Sequence, residues 1–188
     1  MNYKNVLQNF HQQLEHSEYL TGYNFARKCN LVFAEVLTHK QYKDLEIIKT
    51  DHTVLKQTKD FIIYRLNSFK LKDGDLIFCK TDFLFELFSI LRKVKNFRNI
   101  SIITHESDYP ISKKLFNLKP KCVKRWYSVN VQYQNENLIE IPLGLANNYS
   151  GLNIIPKDCK EFYNSKFEIS FKNLVMLNFN KDKFFGFT

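Results

Sequence analysis

The strongest indication of the fold comes from residues 76–110, which read LIFCKTDFLFELFSILRKVKNFRNISIITHESDYP. Residues 76–79 form a short apolar run of the kind found in buried strands. Over residues 81–94 the apolar residues recur at helical spacing, with acidic residues near the start and basic residues near the end, and Thr81 is the expected cap. Residues 99–104 form a second apolar strand. A strand, a helix of about four turns and a strand in succession predict a parallel βαβ crossover.

The C-terminal side continues this alternation of helices and strands. It predicts a short helix over residues 112–118, a helix that starts at Pro156, and strands over residues 123–131, 138–143 and 173–179. Runs that alternate in this way are typical of the α/β class. The sequence therefore predicts a three-layer, Rossmann-like α/β domain whose mostly parallel sheet carries helices on both faces.

The N-terminal side has a different pattern. Two apolar stripes at helical spacing predict two helices with core-facing sides, and these stripes are Val6, Phe10 and Leu14, then Phe25, Cys29, Val32, Phe33 and Val36. Residues 45–48 are a predicted short strand, and residues 61–66 fit a helix or a strand. These patterns divide the chain into an N-terminal helical segment, residues 1–58, and a Rossmann-like domain, residues 59–188, which together form one compact domain.

Composition restricts the class of protein without identifying a function. With 44% hydrophobic residues, including 18 Phe and 10 Tyr, the chain can build a packed core. Its formal net charge of +9 suits nucleic acid, an anionic membrane or a phosphorylated small molecule. The basic residues are scattered, which favours a solvated basic surface over a nucleic-acid site.

The cysteines and the hydropathy pattern indicate a cytoplasmic protein. The 4 cysteines are far apart, so their spacing predicts no zinc site and no disulfide framework, and Cys79 is expected in the core. The first residues lack the apolar core of a signal peptide, and no apolar run approaches the about 20 residues of a membrane span. We therefore expect no transmembrane segment.

Polar residues directly follow the predicted strand over residues 99–104. His105, Glu106 and Asp108 stand where the crevice beyond the carboxyl ends of parallel strands would lie. His105 can act there as a general base whose pKa neighbouring carboxylates adjust. The alternative is structural: Ser107 and Asp108 cap the next helix while His105 satisfies carbonyl groups of the loop.

The later strands contribute further candidate ligand-binding residues. Lys124, Arg125 and Trp126 offer cations and an aromatic face to a phosphate or a sugar ring, although Trp126 can equally be half-buried beneath Arg125. The amides of two asparagines at strand ends, Asn130 and Asn147, suit sugar hydroxyls. A bend at Gly144 either lets backbone approach a ligand closely or is an ordinary turn.

Other motifs argue against metal and cofactor sites. Asp73-Gly74-Asp75 resembles a metal-binding Asp-x-Asp pair, but it precedes its strand and is better explained as a turn. The sequence has no GxGxxG, Walker, Gly-x-Ser-x-Gly or HExxH motif. We therefore predict no bound metal and no cofactor.

Four segments resemble exostosin-like glycosyltransferases of bacteria and large viruses. They are Thr-His-Glu-Ser-Asp-Tyr (104–109), Lys-Arg-Trp-Tyr-Ser-Val-Asn (124–130), Ile-Pro-Leu-Gly-Leu-Ala-Asn-Asn (141–148) and Leu-Asn-Phe-Asn (177–180). The resemblance implies a GT-B enzyme in which a nucleotide-sugar donor and a glycan acceptor meet between two Rossmann-like domains. It implies a cleft lined by His105, Asp108, Asn130, Gly144 and Asn147.

The resemblance covers only the first half of such an enzyme. The chain stops at Thr188 after an aromatic segment, so we expect a second domain or a partner chain to supply donor binding. The leading hypothesis is a glycosyltransferase-like domain in surface polysaccharide or glycan synthesis, with His105 and Asp108 as catalytic residues. The alternatives are a non-catalytic glycan-binding or scaffold module and, less favoured, a basic nucleic-acid-binding protein.

Overall fold

The computed structural model describes residues 20–94 and 97–150. The chain divides into two compact units, residues 25–143 and residues 1–24 with 144–188. The larger unit contains the whole sheet, including strands that precede residue 58, so the predicted division at that residue does not coincide with these units. None of the described helices is long and apolar enough to cross a membrane.

The larger unit is built on one sheet of seven strands. In chain order they are β1 (Leu31–Leu37), β2 (His52–Gln57), β3 (Ile62–Leu66), β4 (Leu76–Lys80), β5 (Ile100–His105), β6 (Val123–Ser128) and β7 (Leu138–Glu140). Their spatial order is β2-β3-β1-β4-β5-β6-β7. Strands β1, β4, β5, β6 and β7 are parallel, whereas β3 is antiparallel to both β1 and β2. The prediction of a mostly parallel α/β sheet is confirmed.

The described helices are short, and most are single turns or little more. They are α1 (Gly22–Arg27), α2 (His39–Asp44), α3 (Leu84–Lys93) and α4 (Lys113–Phe116), with 3-10 turns over Ile47–Lys49 and Thr81–Phe83. The predicted βαβ crossover is confirmed as β4, α3 and β5, with β4 and β5 parallel. The predicted apolar face of α3 is also confirmed, because its buried residues are Leu84, Leu87, Phe88 and Leu91. Each such side chain contributes about 1.5–3 kcal/mol when removed from water.

The helices cover both faces of the sheet, as predicted. On one face, Ala26 of α1 packs in a cluster with Phe78 and Ile103 from β4 and β5. On the other face, the Trp126 ring of β6 contacts Phe88 of α3. Phe78 pairs with Ile103, whereas Trp126 pairs with Ile102, and adjacent residues of a strand point to opposite faces of the sheet. The sheet therefore separates two apolar layers.

Several local predictions are wrong. The second predicted N-terminal helix is wrong for most of its stripe: Phe25 lies in α1, but Val32, Phe33 and Val36 lie in strand β1, Leu31–Leu37. A strand buried on both faces is mostly apolar and can also satisfy helical spacing. Residues 45–48 do not form a strand, since Ile47–Lys49 is a 3-10 turn. Thr81 does not cap α3 through its side chain; its hydroxyl donates to the carbonyl of His105 at 3.1 Å. Of residues 61–66, for which the sequence fitted a helix or a strand, Ile62–Leu66 form β3.

Some predictions lie outside the described residues. They are the first apolar stripe of Val6, Phe10 and Leu14, the helix after Pro156 and the strand over residues 173–179. The buried position predicted for Cys79 is confirmed, and its side chain is closed to solvent. Asp73 and Asp75 flank a turn as predicted, with Gly74 at a φ of 87° that favours glycine.

Candidate functional site

The carboxyl ends of the parallel strands form one edge of the sheet, which we call the carboxyl edge. It consists of residues 36–38, 80–82, 105–112, 128–132 and 140–143, at or just after the ends of β1, β4, β5, β6 and β7. After β1 the chain forms β2 and β3, which lie on one side of β1 in the sheet. After β4, which lies on the other side of β1, it continues away from β1 to β5. The ends of β1 and β4 therefore flank the switch point, where open α/β sheets bind ligands.

His105 ends β5 and is 3% exposed. Its Nδ1 accepts the backbone N–H of Glu106 at 2.8 Å, and its Nε2 lies 3.0 Å from the carbonyl oxygen of Leu143. These partners require a neutral ring that carries its proton on Nε2. Burial lowers the pKa of His105 to about 4, although hydrogen bonds to backbone carbonyls of Leu143 and Pro142 oppose that change.

This geometry favours the structural alternative for His105. A general base needs a ring nitrogen within reach of the proton that it removes. Here Nδ1 is occupied by Glu106 and Nε2 by Leu143, and the low pKa makes the ring a weak base near neutral pH. His105 thus holds Leu143 against the end of β5.

Glu106 closes the gap between β1 and the shorter β4. The register of β1 against β4 ends with Ala34 opposite Cys79, so the backbone N–H of Val36 lies beyond that pairing. A carboxylate oxygen of Glu106 accepts that N–H at 3.1 Å. Glu106 has a φ of 63°, in the left-handed region that non-glycine residues seldom adopt. The turn after β5 therefore directs a carboxylate into the switch point.

Lys80 ties the end of β4 to the end of β5. Its ammonium group donates to the carbonyl oxygen of Glu106 at 2.7 Å and forms an ion pair with Asp82. The Lys80 side chain is 13% exposed, whereas that of Asp82 is 49% exposed. The switch point thus combines a cation and two carboxylates, and Asp82 is the member most open to solvent.

Asn130 connects the loops that follow β5 and β6. Its side-chain amide donates to the carbonyl oxygen of Ser107 at 3.1 Å, and its backbone carbonyl accepts the N–H of Ile111 at 3.0 Å. It too has a positive φ, 55°, which Asn tolerates better than most residues. Asp108 follows Ser107 directly and is exposed. The structure therefore brings His105, Glu106, Asp108 and Asn130 together in two joined loops.

The proposed capping role of Ser107 and Asp108 is wrong. The cap of α4 is Ser112, whose hydroxyl accepts the N–H of Leu115 at 3.3 Å. The Ser107 hydroxyl instead accepts the N–H of Tyr109 at 3.3 Å, within its own loop. Asp108 is consequently available to face a ligand rather than a helix terminus.

Lys124, Arg125 and Trp126 do not join this group. Lys124 and Arg125 are exposed in the first half of β6, where Arg125 lies opposite Ser101 near the start of β5. Trp126 is fully buried, donates its indole N–H to the Thr104 hydroxyl at 2.8 Å, and stacks on Phe116. An aromatic face for a sugar ring is not accessible at Trp126, and the prediction of a half-buried ring is also wrong.

Gly144 and Asn147 belong to the smaller unit. Gly144 has a φ of 71°, and a Cβ there would lie 2.3 Å from the carbonyl oxygen of Leu20, so its close backbone approach is to Leu20. The N–H of Leu145 donates to that same carbonyl at 2.8 Å. Asn147 is buried, and its side-chain oxygen accepts the N–H of Tyr23 at 2.9 Å. Both residues organise their own unit locally.

Sequence reasoning missed a buried charged cluster near the carboxyl edge. Glu35 of β1 is fully buried, forms an ion pair with Arg27, and accepts the hydroxyl proton of Tyr64 at 2.8 Å. Burial, followed by the charge of Glu35, raises the pKa of Tyr64 well above its ordinary value. The signal was Glu35 itself, the one charged residue in the run LVFAEVL.

Within the described residues, no group of three or more His, Cys, Asp or Glu side chains could hold a metal ion. The carboxylates of Asp73 and Asp75 form hydrogen bonds to nearby backbone groups. Asp73 accepts the N–H groups of Arg98 and Asn99 at 2.8 and 3.0 Å. Asp75 accepts the N–H of Lys72 at 2.7 Å. The strongest candidate site is therefore the carboxyl edge, whose exposed polar residues include Asp82, Asp108, Asn130, Gln132 and Glu140.

Comparison with known proteins adds no relative. No family model, curated protein or solved structure matches this sequence.

Proposed function

We propose that this chain is a glycosyltransferase-like domain that binds a sugar ligand at the carboxyl edge, in surface polysaccharide or glycan synthesis. The observation that carries the proposal is the joining of the loops after β5 and β6, in which Asn130 bonds to Ser107 and Ile111, the residues on either side of the segment that contains Asp108. Carboxylate and amide groups recognise the paired donors and acceptors of sugar hydroxyls. The four segments that resemble exostosin-like transferases support the same function.

Each residue of this edge has a different role in the proposal. Asp108 and Asn130 contact hydroxyls of the acceptor, and Asp108 is the carboxylate placed to accept a proton from one of them. Glu106 and His105 are positioning residues, since their polar atoms hold Val36 of β1 and Leu143, respectively. A nucleotide-sugar would be the donor, completed by a second domain or a partner chain.

A second candidate is a non-catalytic glycan-binding module. The observation that favours it is the bonding of His105, whose two ring nitrogens are both occupied by backbone groups. In this case the same exposed residues recognise the glycan, and no group removes a proton.

The test combines binding and transfer measurements on the full chain. Uridine, guanosine and thymidine diphosphate sugars are offered with a panel of oligosaccharide acceptors, and release of nucleoside diphosphate and glycan binding are measured separately. The informative variant is Asp108→Asn. Its matched control is Asp60→Asn, an exposed carboxylate in the turn between β2 and β3.

The outcomes separate the candidates. The transferase is supported if the wild-type chain transfers sugar, Asp108→Asn lowers the transfer rate by about 100-fold or more, and Asp60→Asn leaves that rate unchanged. Glycan binding without transfer, weakened by Asp108→Asn, supports the binding module. Absence of both binding and transfer in the wild-type chain overturns the proposal.

A further inference from the structure

A separate cleft lies at the opposite edge of the sheet. The amino edge, meaning the segments before β4, β5 and β6, comprises residues 70–75, 97–99 and 117–122. A cleft of about 450 Å³ opens there between residues 117–122 and the C-terminal end of α3. The N–H of Ile100 donates to the carbonyl of Cys122 at 3.0 Å, which places this segment beside the start of β5. The volume lies within the range of about 300–1,000 Å³ that is usual for small-molecule sites.

The polar wall of the cleft is cationic. Arg92, Lys119 and Lys121 line it, and none of the described lining residues carries a carboxylate. Arg92 donates to the carbonyl of Leu118 at 2.7 Å, and the Lys119 ammonium donates to the carbonyl of Val123. A guanidinium has five N–H donors and an ammonium three, so one such bond uses only part of either group. The cations are held in position with donors left for an anion.

The other wall is apolar and partly exposed. Val94, Phe97 and Leu118 line it, and Leu118 is 43% exposed. Aromatic side chains at such sites stack on nucleobases, because every base has a flat π-face. An anion site beside an aromatic ring is complementary to a phosphate joined to a base.

One electrostatic effect opposes an anion here. The C-terminal end of α3 carries a partial negative charge of roughly half an electron. Three cationic side chains line the cleft, so their charge outweighs the helix end, and the net charge of +9 adds to the attraction. Burial also lowers the pKa of Lys119, and a bound anion would act in the opposite direction.

We infer that this cleft binds a nucleoside phosphate, with its phosphate on Arg92 and Lys121 and its base against Phe97. This inference goes beyond the proposed sugar site, because it uses the other edge of the sheet and none of the same residues. The ligand chemistry can come from a free nucleotide or from a nucleic-acid strand, which the experiment distinguishes.

Binding is measured on the full chain with three probes: thymidine monophosphate, inorganic phosphate and hexathymidylate. Lys121→Glu reverses one exposed charge at the cleft, and the control Lys59→Glu makes the same charge change in the β2–β3 turn. We expect Lys121→Glu to weaken thymidine monophosphate by about tenfold and Lys59→Glu by less than about twofold, since exposed charges farther than a Debye length are screened. Unfolding monitored by Trp126, the only Trp of the chain, checks that both variants fold.

A second variant tests the aromatic wall. Phe97→Ala should weaken thymidine monophosphate by about tenfold and leave inorganic phosphate unchanged, because only the nucleotide has a base to stack. If hexathymidylate binds more tightly than thymidine monophosphate, and Lys121→Glu and Phe97→Ala weaken both ligands, the ligand of the cleft is a nucleic-acid strand. Equal affinities identify a free nucleotide.

Three results would overturn the inference. They are failure of the wild-type chain to bind thymidine monophosphate at millimolar concentration, equal weakening by Lys121→Glu and Lys59→Glu, and no effect of Phe97→Ala. Asp108→Asn should leave thymidine monophosphate binding unchanged, so this inference and the proposed function can fail independently.

Discussion

The two edges of the sheet use their charged residues differently. At the carboxyl edge, the side chains of Glu106, Lys80 and His105 form hydrogen bonds to backbone groups of neighbouring segments. At the amino edge, Lys121 and Arg92 are exposed around an open cleft. The first edge is therefore a fixed support for a few exposed polar residues, whereas the second presents its charge directly to solvent. Substitutions of Glu106 or His105 at the first edge should therefore cost stability, whereas substitutions of Lys121 or Arg92 at the second should cost binding.

The largest expected effect is at the buried ion pair beside the carboxyl edge. Glu35→Ala leaves the guanidinium of Arg27 without its carboxylate in a buried site, and we expect a loss of about 3–5 kcal/mol in the free energy of unfolding. Asp44→Ala, which removes the exposed pair with Lys40, should cost no more than about 0.5 kcal/mol. Urea unfolding measures both, and equal costs would contradict the difference in burial.

The second effect is a pH dependence due to His105. Because its folded pKa is about 4 and its ordinary value is 6.5, the unfolded chain binds a proton over that interval and the folded chain does not. Stability from this group is complete above pH 6.5 and is lost as the pH falls to about 4, by about 3 kcal/mol.

The measurement compares urea unfolding at pH 7 and pH 4 for the wild-type chain and His105→Gln. The variant should lose less stability between the two pH values, since it has no imidazole to protonate. An identical pH dependence in both proteins would show that His105 is not buried in its neutral form.

A smaller effect is expected at Glu106. Glu106→Ala removes the acceptor of the Val36 N–H and should cost about 1–3 kcal/mol. Glu46→Ala is a control for backbone strain, because Glu46 also has a positive φ but its carboxylate pairs with the exposed Lys49. Thermal unfolding that ranks the two variants equally would mean that the Val36 bond contributes nothing.

The smallest effect on stability is expected at the amino edge. Lys121→Ala should change the free energy of unfolding by less than about 0.5 kcal/mol, as is usual for an exposed side chain. Chemical denaturation checks this value. A larger loss would give Lys121 a structural role and weaken the contrast between the edges.

The sequence predicts the parallel sheet and the β4–α3–β5 unit because periodicity and turn residues are local signals. It fails for β1, where a run that is apolar except for Glu35 fits both a helix and a doubly buried strand. The local pattern also puts His105, Glu106 and Asp108 at the end of β5 and Asn130 just after β6, because strand ends can be recognised from nearby residues.

The remaining features depend on register and on strand face, which no short motif encodes. Trp126 lies on the face opposite the Phe78 and Ile103 layer, and Glu106 reaches Val36 only because β4 ends before β1 does. The partners of His105 could not be predicted either, because Leu143 is 38 residues away in sequence.

The most direct test of the sugar site is a map of backbone amide shifts by NMR during titration with a nucleotide-sugar or an oligosaccharide that binds. The account predicts shifts concentrated in the joined loops, residues 106–112 and 129–132, and largely abolished in Asp108→Asn. Shifts confined to other parts of the sheet, with these loops unchanged, would contradict it.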